Sequence, residues 1–349
     1  MRSRVWAKLF HAEGPTASAS GLLLLLVVAF AVLTPATFLT GPNLSNVARQ
    51  ASFDAIIAIG LMVVMIGGGL DISVGSVMSM SAALVMGFQP SGVVVAVVIA
   101  LAFGCLVGLV NGFVVVHLGI VPFIATLGSM TIVGAMVHAY SDSAPIPGTN
   151  ESFGILGNGN IGPIPVPFVF LVGVALIAWF VLTQTAPGRA VFAIGGNPEA
   201  AASTGIKSGR VVVGTYVISG FCAALSGVLL ASALNTSSPQ LGRDTPLFVL
   251  AAVIIGGASI FGGRGSVLGA VLGIFGLTVL ANGMNGIGIE SAQQTIVRAS
   301  VFLVVVMVDA VSIRIVRTRR LRRRARQDQT FGPATPGPRN RELAQLKSR

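Results

Sequence analysis

The sequence predicts an all-α polytopic membrane protein with about ten transmembrane helices and both termini in the cytosol. Three observations carry that expectation. Of 349 residues, 54% are hydrophobic and only 9% are charged, against about 25% charged in an average soluble domain. Apolar runs recur at the length that crosses a bilayer, roughly 20 residues at about 1.5 Å each. Lysine and arginine fall between those runs with a strong bias to one side, as cytosolic loops require.

On that ruler, spans fall near 20–39, 50–68, 72–88, 92–116, 121–140, 164–184, 211–233, 245–260, 265–285 and 294–313. The third and eighth are short. Arg2, Arg4 and Lys8 before the run Leu22–Leu26 imitate a cleaved leader. The apolar stretch continues past Ala31, however, and more membrane sequence follows, so an uncleaved first span is expected. With ten spans, the inner segments carry Arg2, Arg4, Lys8, Arg189, Lys207, Arg210, Arg264 and everything from Arg314 on. The outer segments carry little beyond Arg49, Arg243 and Arg298. An odd count would place the arginine-rich tail outside. The expected organisation is a cytosolic segment 1–19, a transmembrane domain 20–313 containing a cytosolic loop 185–210, and a basic, disordered cytosolic tail 314–349.

The net charge of +11 looks like a signal for nucleic acid. Twelve of the 22 Lys/Arg lie at or after Arg314, however, opposed only by Asp328 and Glu342. A basic block directly after an apolar run reads as contact with inner-leaflet membrane lipids, so no nucleic acid is expected. Cys105 and Cys222 each sit inside an apolar run, and His11, His117 and His138 form no cluster. Neither a disulfide nor a metal or other cofactor is expected. With no acid/base pair in evidence, a membrane enzyme is disfavoured.

Within the spans, Gly104, Gly108 and Gly112 recur every four residues, as do Gly265, Gly269 and Gly273. Small residues at that spacing let helix backbones approach closely in lipid. The outer connection 141–163 is rich in Gly, Asn, Pro and Ser and reads as turns with little regular structure. The inner connection 185–210 differs. Asn197, Pro198 and Glu199 read as the N-cap, first position and first-turn acid of a helix that Ala200, Ala201 and Ala202 extend and Gly205 ends.

The stretch MIGGGLDISVGSVMSM (65–80) sets Asp71 among Gly67, Gly68, Gly69 and Gly75 between two apolar runs. An aspartate at membrane depth costs about 2.5–3.5 kcal/mol on insertion scales, and each glycine weakens a helix by about 1 kcal/mol relative to alanine. Span arithmetic puts Asp71 toward the inner leaflet. Two readings stand side by side: a tight cytosolic turn with Asp71 capping the next helix near Val74, or a re-entrant break acting as a gate or path element. IIGGASIFGGRGSVLG (254–269) has the same order of Gly-Gly, polar break and Gly-Ser-Val, which hints at an internal repeat.

GGGLDISVGSVMSMSA (67–82) resembles the glycine-aspartate signature of permease subunits in bacterial sugar ABC importers of the ribose/xylose/galactose class. NGFVVVHLGIVPFIATLGSMTIV (111–133), GRAVFAIGGNPEAAASTGI (188–206) and GASIFGGRGSVLGAVLG (257–273) match in order, over about residues 20 to 313. Leu70-Asp71-Ile72-Ser73 stands where the family usually has Ile-Asp-Leu-Ser, and the tail lies outside the pattern. The resemblance implies a type II ABC-importer-like bundle without ATPase activity of its own. It further implies two cytosolic ABC ATPase subunits, an extracytoplasmic substrate-binding protein and a second permease copy or paralogue as partners.

The residues agree with that division of labour. A Walker A loop needs a glycine before its Lys-Ser/Thr, yet Lys207 and Lys347, the lysines followed by serine, come after Ile206 and Leu346. The resemblance assigns ATPase coupling to Gly196, Asn197, Pro198, Glu199, Ala200, Ala201 and Gly205. Polar groups within spans nominate Asp71, Ser73, Asn111, Thr126, Asn282 and Asn285 for the translocation pathway or gate, with Phe123 as an aromatic platform. Hydrogen bonding between helices is the alternative for each. Glu290–Arg298 and Asp309–Arg314 are expected interfacial pairs. The rival functions are a related permease for branched-chain amino acids and a stand-alone ion-coupled transporter. The latter needs ionisable groups mid-bundle, where Asp54 and Asp71 are the candidates in the first nine spans.

Overall fold

The computed structural model describes residues 15–290, 292–297, 299–301, 303, 304 and 307. The expected Glu290–Arg298 and Asp309–Arg314 pairs, the start of the N-terminal segment through residue 14 and the basic tail lie outside the described residues. The architecture below is that of the unit ending at Val305.

Eleven principal helices build it: α1 (Pro15–Leu33), α2 (Gly41–Ile66), α3 (Val74–Gly87), α4 (Val93–His117), α5 (Pro122–Tyr140), α6 (Val166–Gln184), α7 (Ala186–Gly196), α8 (Pro198–Ser203), α9 (Ser208–Leu234), α10 (Thr245–Ile255) and α11 (Val267–Gly286). Six of them, α2, α4, α5, α6, α9 and α11, are long and apolar enough to cross a membrane. Helices α1, α3 and α10 are shorter and apolar, and the described residues of 292–307 are helical. Boundaries shift where side chains intervene. The first span stops at Leu33 because Pro35 cannot continue the helix. Helix α2 begins nine residues before the expected 50, at Gly41-Pro42, where proline suits a first turn.

Helices α2 and α9 form the centre: α9 packs along α4, α2 and α3, while α11 closes against α2, α1 and α10. Around them, α4, α5 and α6 turn apolar side chains outward, among them Val94, Val98, Ile124, Ile132, Ile177 and Phe180. A soluble protein rarely exposes so continuous an apolar surface, so lipid is its solvent. The glycines spaced by four serve close packing. A methyl group at Gly104 would lie 2.4 Å from the Gly220 carbonyl oxygen, and one at Gly108 would lie 2.3 Å from that of Tyr216. Gly112 abuts Val213, so all three face α9. In the second series Gly269 and Gly273 meet α10, whereas Gly265 precedes the helix and meets Ile66 and Met62 of α2.

The connection 141–163 has more structure than its composition indicates. Ile146–Pro147 pairs antiparallel with Thr236–Ser237, and Asn160–Ile161 pairs with Ile164–Pro165. Helical turns at Glu151–Gly154 and Ile155–Asn158 intervene. Gln89 accepts from the Thr149 and Asn150 amides at 2.7 and 3.2 Å, Ser232 donates to the Phe153 carbonyl at 2.5 Å, and Arg49 donates to the Asn158 carbonyl and Asn160 side chain. The anchors lie elsewhere in the chain, which is why local composition does not reveal them.

Gly108→Leu drives a side chain into the α9 backbone and is expected to destabilise by about 1–3 kcal/mol or more. Gly173→Leu on α6, where nothing lies within 4 Å of the added carbon, is expected to leave stability unchanged. Thermal unfolding in detergent separates the two.

Candidate functional site

The glycine-aspartate stretch is a true break. Helix α2 ends with the Gly68 amide on the Met65 carbonyl at 2.9 Å and the Gly69 amide on the Val64 carbonyl at 3.0 Å. Gly68 has φ +83°, a conformation that glycine adopts without strain. The chain then doubles back along α2 and α9. A methyl at Gly69 would sit 2.7 Å from the Tyr216 hydroxyl and 2.9 Å from Val64. Asp71 reaches Ser219 of α9, the residue whose Cα lies beside Gly60. Gly60 is six residues before the end of α2, so Asp71 is carried about 9 Å back into the bundle. Helix α3 is short because the non-helical residues 67–73 supply the first part of the crossing.

Asp71 is 2% exposed, yet its carboxylate is well supplied with donors. One oxygen accepts from the Ser73 amide at 3.0 Å and the Ser73 hydroxyl at 2.6 Å, and the other accepts from Ser219 at 2.8 Å. Asn111 of α4 donates to the Ser73 oxygen at 3.0 Å, and Ser129 of α5 donates to the Asn111 carbonyl oxygen. Thr126 accepts from the Ile72 amide at 3.3 Å and donates to the Pro122 carbonyl at 2.9 Å, while Tyr216 donates to the Leu70 carbonyl at 3.4 Å. Helices α5 and α9 thus meet polar backbone groups of the break and α4 holds its Ser73 side chain, as irregular chain at membrane depth requires. Asp71 does not cap α3: Ser73 holds the N-cap position, and Asp71 folds onto it instead.

The second break begins the same way. Gly257 (φ +90°) bonds to the Ile254 carbonyl, and Ala258 to that of Val253. The two breaks meet each other and the end of α7. The Gly263 amide donates to the Ile66 carbonyl at 2.8 Å. A methyl at Gly195 would lie 1.7 Å from that same carbonyl oxygen, and one at Gly262 would lie 2.8 Å from the Gly195 oxygen and 2.9 Å from Gly68. Two residues on, Asn197 accepts from the Ala200 amide at 3.0 Å and starts α8 with Pro198 in its first turn. Gly205, at φ +80°, follows its end. Ala201 faces the bundle, while Pro198, Glu199, Ala200 and Ala202 are exposed.

Of the residues nominated for the path, Asp71, Ser73, Asn111 and Thr126 converge. Phe123 stands apart on α5, 49% exposed, and Asn282 pairs reciprocally with Asn43 at 2.9 and 3.0 Å toward the opposite end of α11. Asn285 binds Gln294. The sequence reading missed Ser219, Tyr216 and Ser129 as partners of the break. It also missed Gly195, Gly262 and Gly263, whose signal was only their presence in the two glycine-rich blocks. Among the described residues no cluster of metal-ligating side chains occurs.

A helical bundle with paired glycine breaks near its centre, joined by backbone to a capped helix at one end, is the membrane-embedded part of a transporter. The chain belongs to the branched-chain amino acid transport system permease component family, whose model matches residues 43–308. It is similar to the ribose import permease protein of Bacillus subtilis, 38% identical over 291 residues, covering 82% of this chain and 90% of the relative. It is 36% identical over 295 residues to the ribose import permease protein of Escherichia coli K12, covering 82% and 91%. It is 33% identical over 311 residues to the galactose/methyl galactoside import permease protein of Haemophilus influenzae, covering 82% and 92%. No solved structure matches the chain. Membership in this permease family and the apolar helices make it a multi-pass protein of the cytoplasmic membrane.

Asp71→Ala leaves three buried donors without an acceptor, each costing about 1–3 kcal/mol, and is expected to prevent recovery of folded protein. Ser219→Ala removes one partner and is expected to cost about 1 kcal/mol. Size-exclusion profiles and unfolding midpoints of the purified variants test the ranking.

Proposed function

We propose that the chain is the transmembrane permease subunit of an ABC importer that moves a monosaccharide across the cytoplasmic membrane. The observation that carries this reading is its similarity, over more than four fifths of its length, to permeases named for ribose and galactose import. The family description names branched-chain amino acids, so a leucine-type cargo is the second reading. Uptake of a labelled sugar and amino-acid panel decides between them.

Energy comes from cytosolic ABC ATPase subunits and cargo from an extracytoplasmic substrate-binding protein. A second permease copy or paralogue completes the membrane part, and inner-leaflet lipids meet the basic tail. The permease domain runs over 20–313, between the cytosolic segment 1–19 and the tail 314–349. Ten spans in a type II-like bundle are supported by six helices long and apolar enough to cross a membrane, three shorter apolar helices and the helical described residues of 292–307. Cytosolic termini are supported by charge: Arg189 lies in α7, Lys207 and Arg210 follow α8, and Arg264 adjoins Gly263 at that same end.

In this scheme the exposed face of α8 (Pro198, Glu199, Ala200) docks on the ATPase, with Gly196, Asn197, Ala201 and Gly205 shaping the helix. A push on α8 passes through Asn197 to Gly195, and from there by direct backbone contact to Ile66 and both breaks. Asp71, Ser73, Asn111 and Thr126 then act as the latch of the gate, holding residues 67–73 in one position until the contact shifts. Their burial and mutual bonding support a gating role over contact with cargo. Phe123, exposed on α5 one turn from Thr126, and Asn282, toward the other end of α11, are assigned to the walls of the path.

Gly195→Ala places a methyl against the Ile66 carbonyl and is expected to abolish ATP-driven uptake in reconstituted transporter. Gly196→Ala, with open space around it, is expected to retain it. If both retain uptake, the backbone relay is wrong. A thiol introduced by Ala202→Cys is expected to react with an impermeant reagent in inside-out vesicles and not in intact cells; the reverse pattern inverts the topology.

A further inference from the structure

At the end of the bundle opposite α8, a polar cavity of about 260 Å³ lies beneath the loop that joins α9 to α10. Its wall includes Gln50 and Asp54 of α2, Gln240, Arg243 and Asp244 of the loop, and Thr278 of α11. Thr278 sets it apart from a surface dimple. Its side chain is 2% exposed, and its hydroxyl has no hydrogen-bond partner. A threonine inside a helix ordinarily bonds back to the carbonyl four residues earlier, and a buried polar group without a partner is costly. Thr278 lines the cavity, and its unpartnered hydroxyl lies just behind that wall, where a rotation about the Cα–Cβ bond would present it to an occupant.

The lining chemistry narrows the occupant. Two carboxylates, two carboxamides, a guanidinium and two threonines supply donors and acceptors around a space smaller than the roughly 300–1,000 Å³ of a drug-sized ligand site. Phe248 adds an aromatic face, with Leu241 and Ala281 as smaller apolar contributions. A monosaccharide presents a ring of vicinal hydroxyls, each both donor and acceptor, and a flat C–H surface. A branched aliphatic side chain would need an apolar pocket that this cavity lacks.

The loop roof is fixed at one point. Gly242 (φ +76°) rests on Gly75 of α3 so closely that a methyl at Gly75 would lie 2.2 Å from the Gly242 carbonyl oxygen. The last glycine of the glycine-aspartate stretch thus seats the loop over the cavity, four residues from Asp71.

We infer that this cavity is a monosaccharide-binding subsite on the outer part of the path, with the Thr278 hydroxyl and the Gln50 carboxamide as sugar contacts. The inference rests on the sugar-importer reading above. The test uses the assembled transporter, this chain with its ATPase and binding protein, in proteoliposomes with labelled D-ribose, D-galactose, D-allose, D-xylose and L-leucine. Thr278→Val and Gln50→Leu are each expected to lower sugar moved per ATP hydrolysed about five-fold, the scale of one lost neutral hydrogen bond. Thr278→Ser, which keeps the hydroxyl, is expected to match the parent. If Thr278→Val and Gln50→Leu match the parent, or Thr278→Ser fails as Thr278→Val does, the subsite is overturned while sugar import stands. If the parent moves no sugar of the panel, the underlying reading fails as well.

Discussion

One backbone hydrogen bond, from the Gly263 amide to the Ile66 carbonyl, organises the α8 end of this bundle. It forms only because Gly195, Gly262 and Gly263 carry no side chains at the point where three segments converge. Side chains can absorb a displacement by changing rotamer, whereas backbones in van der Waals contact cannot. Packed interiors respond to such a displacement by switching between discrete arrangements. Helix α8, which starts at Asn197 directly after this point, is therefore tied to the membrane domain by its stiffest material.

The buried carboxylate belongs to the same design. Isolated at this depth, Asp71 would be prohibitively costly. Surrounded by Ser73, Ser219 and the Asn111 relay, it converts a weak, glycine-rich strip into a fixed element. The carboxyl group's hydrogen bonds hold the irregular backbone, and the irregular backbone lets α2 end and α3 begin within one membrane thickness. Either feature alone would be unstable.

What was legible in the sequence follows from the range of the interactions. The break at Gly67–Gly69, the cap at Asn197 and the close-packing glycines of α4 depend on neighbours within a few residues, and each stands where the pattern indicates. The second break repeats the first down to the hydrogen bonds of its helix end, as the matching of 65–80 with 254–269 hinted. The partners were not legible. Ser219 lies 148 positions from Asp71, and no local pattern distinguishes it from the other serines of its helix. Gly195 and Gly196 are identical in sequence context, yet one is pressed against a carbonyl and the other faces open space. Thr278 reads as one more small residue in an apolar span until the cavity beside it is seen.

The short ladder between Ile146–Pro147 and Thr236–Ser237 has a mechanical consequence. It stitches the segment after α5 to the segment after α9, far from α8, with Gln89 and Ser232 as extra stitches nearby. Two levers riveted at one tip can part only at the other. Helices α5 and α9 are thus held together at the end away from α8, and any parting between them begins at the α8 end.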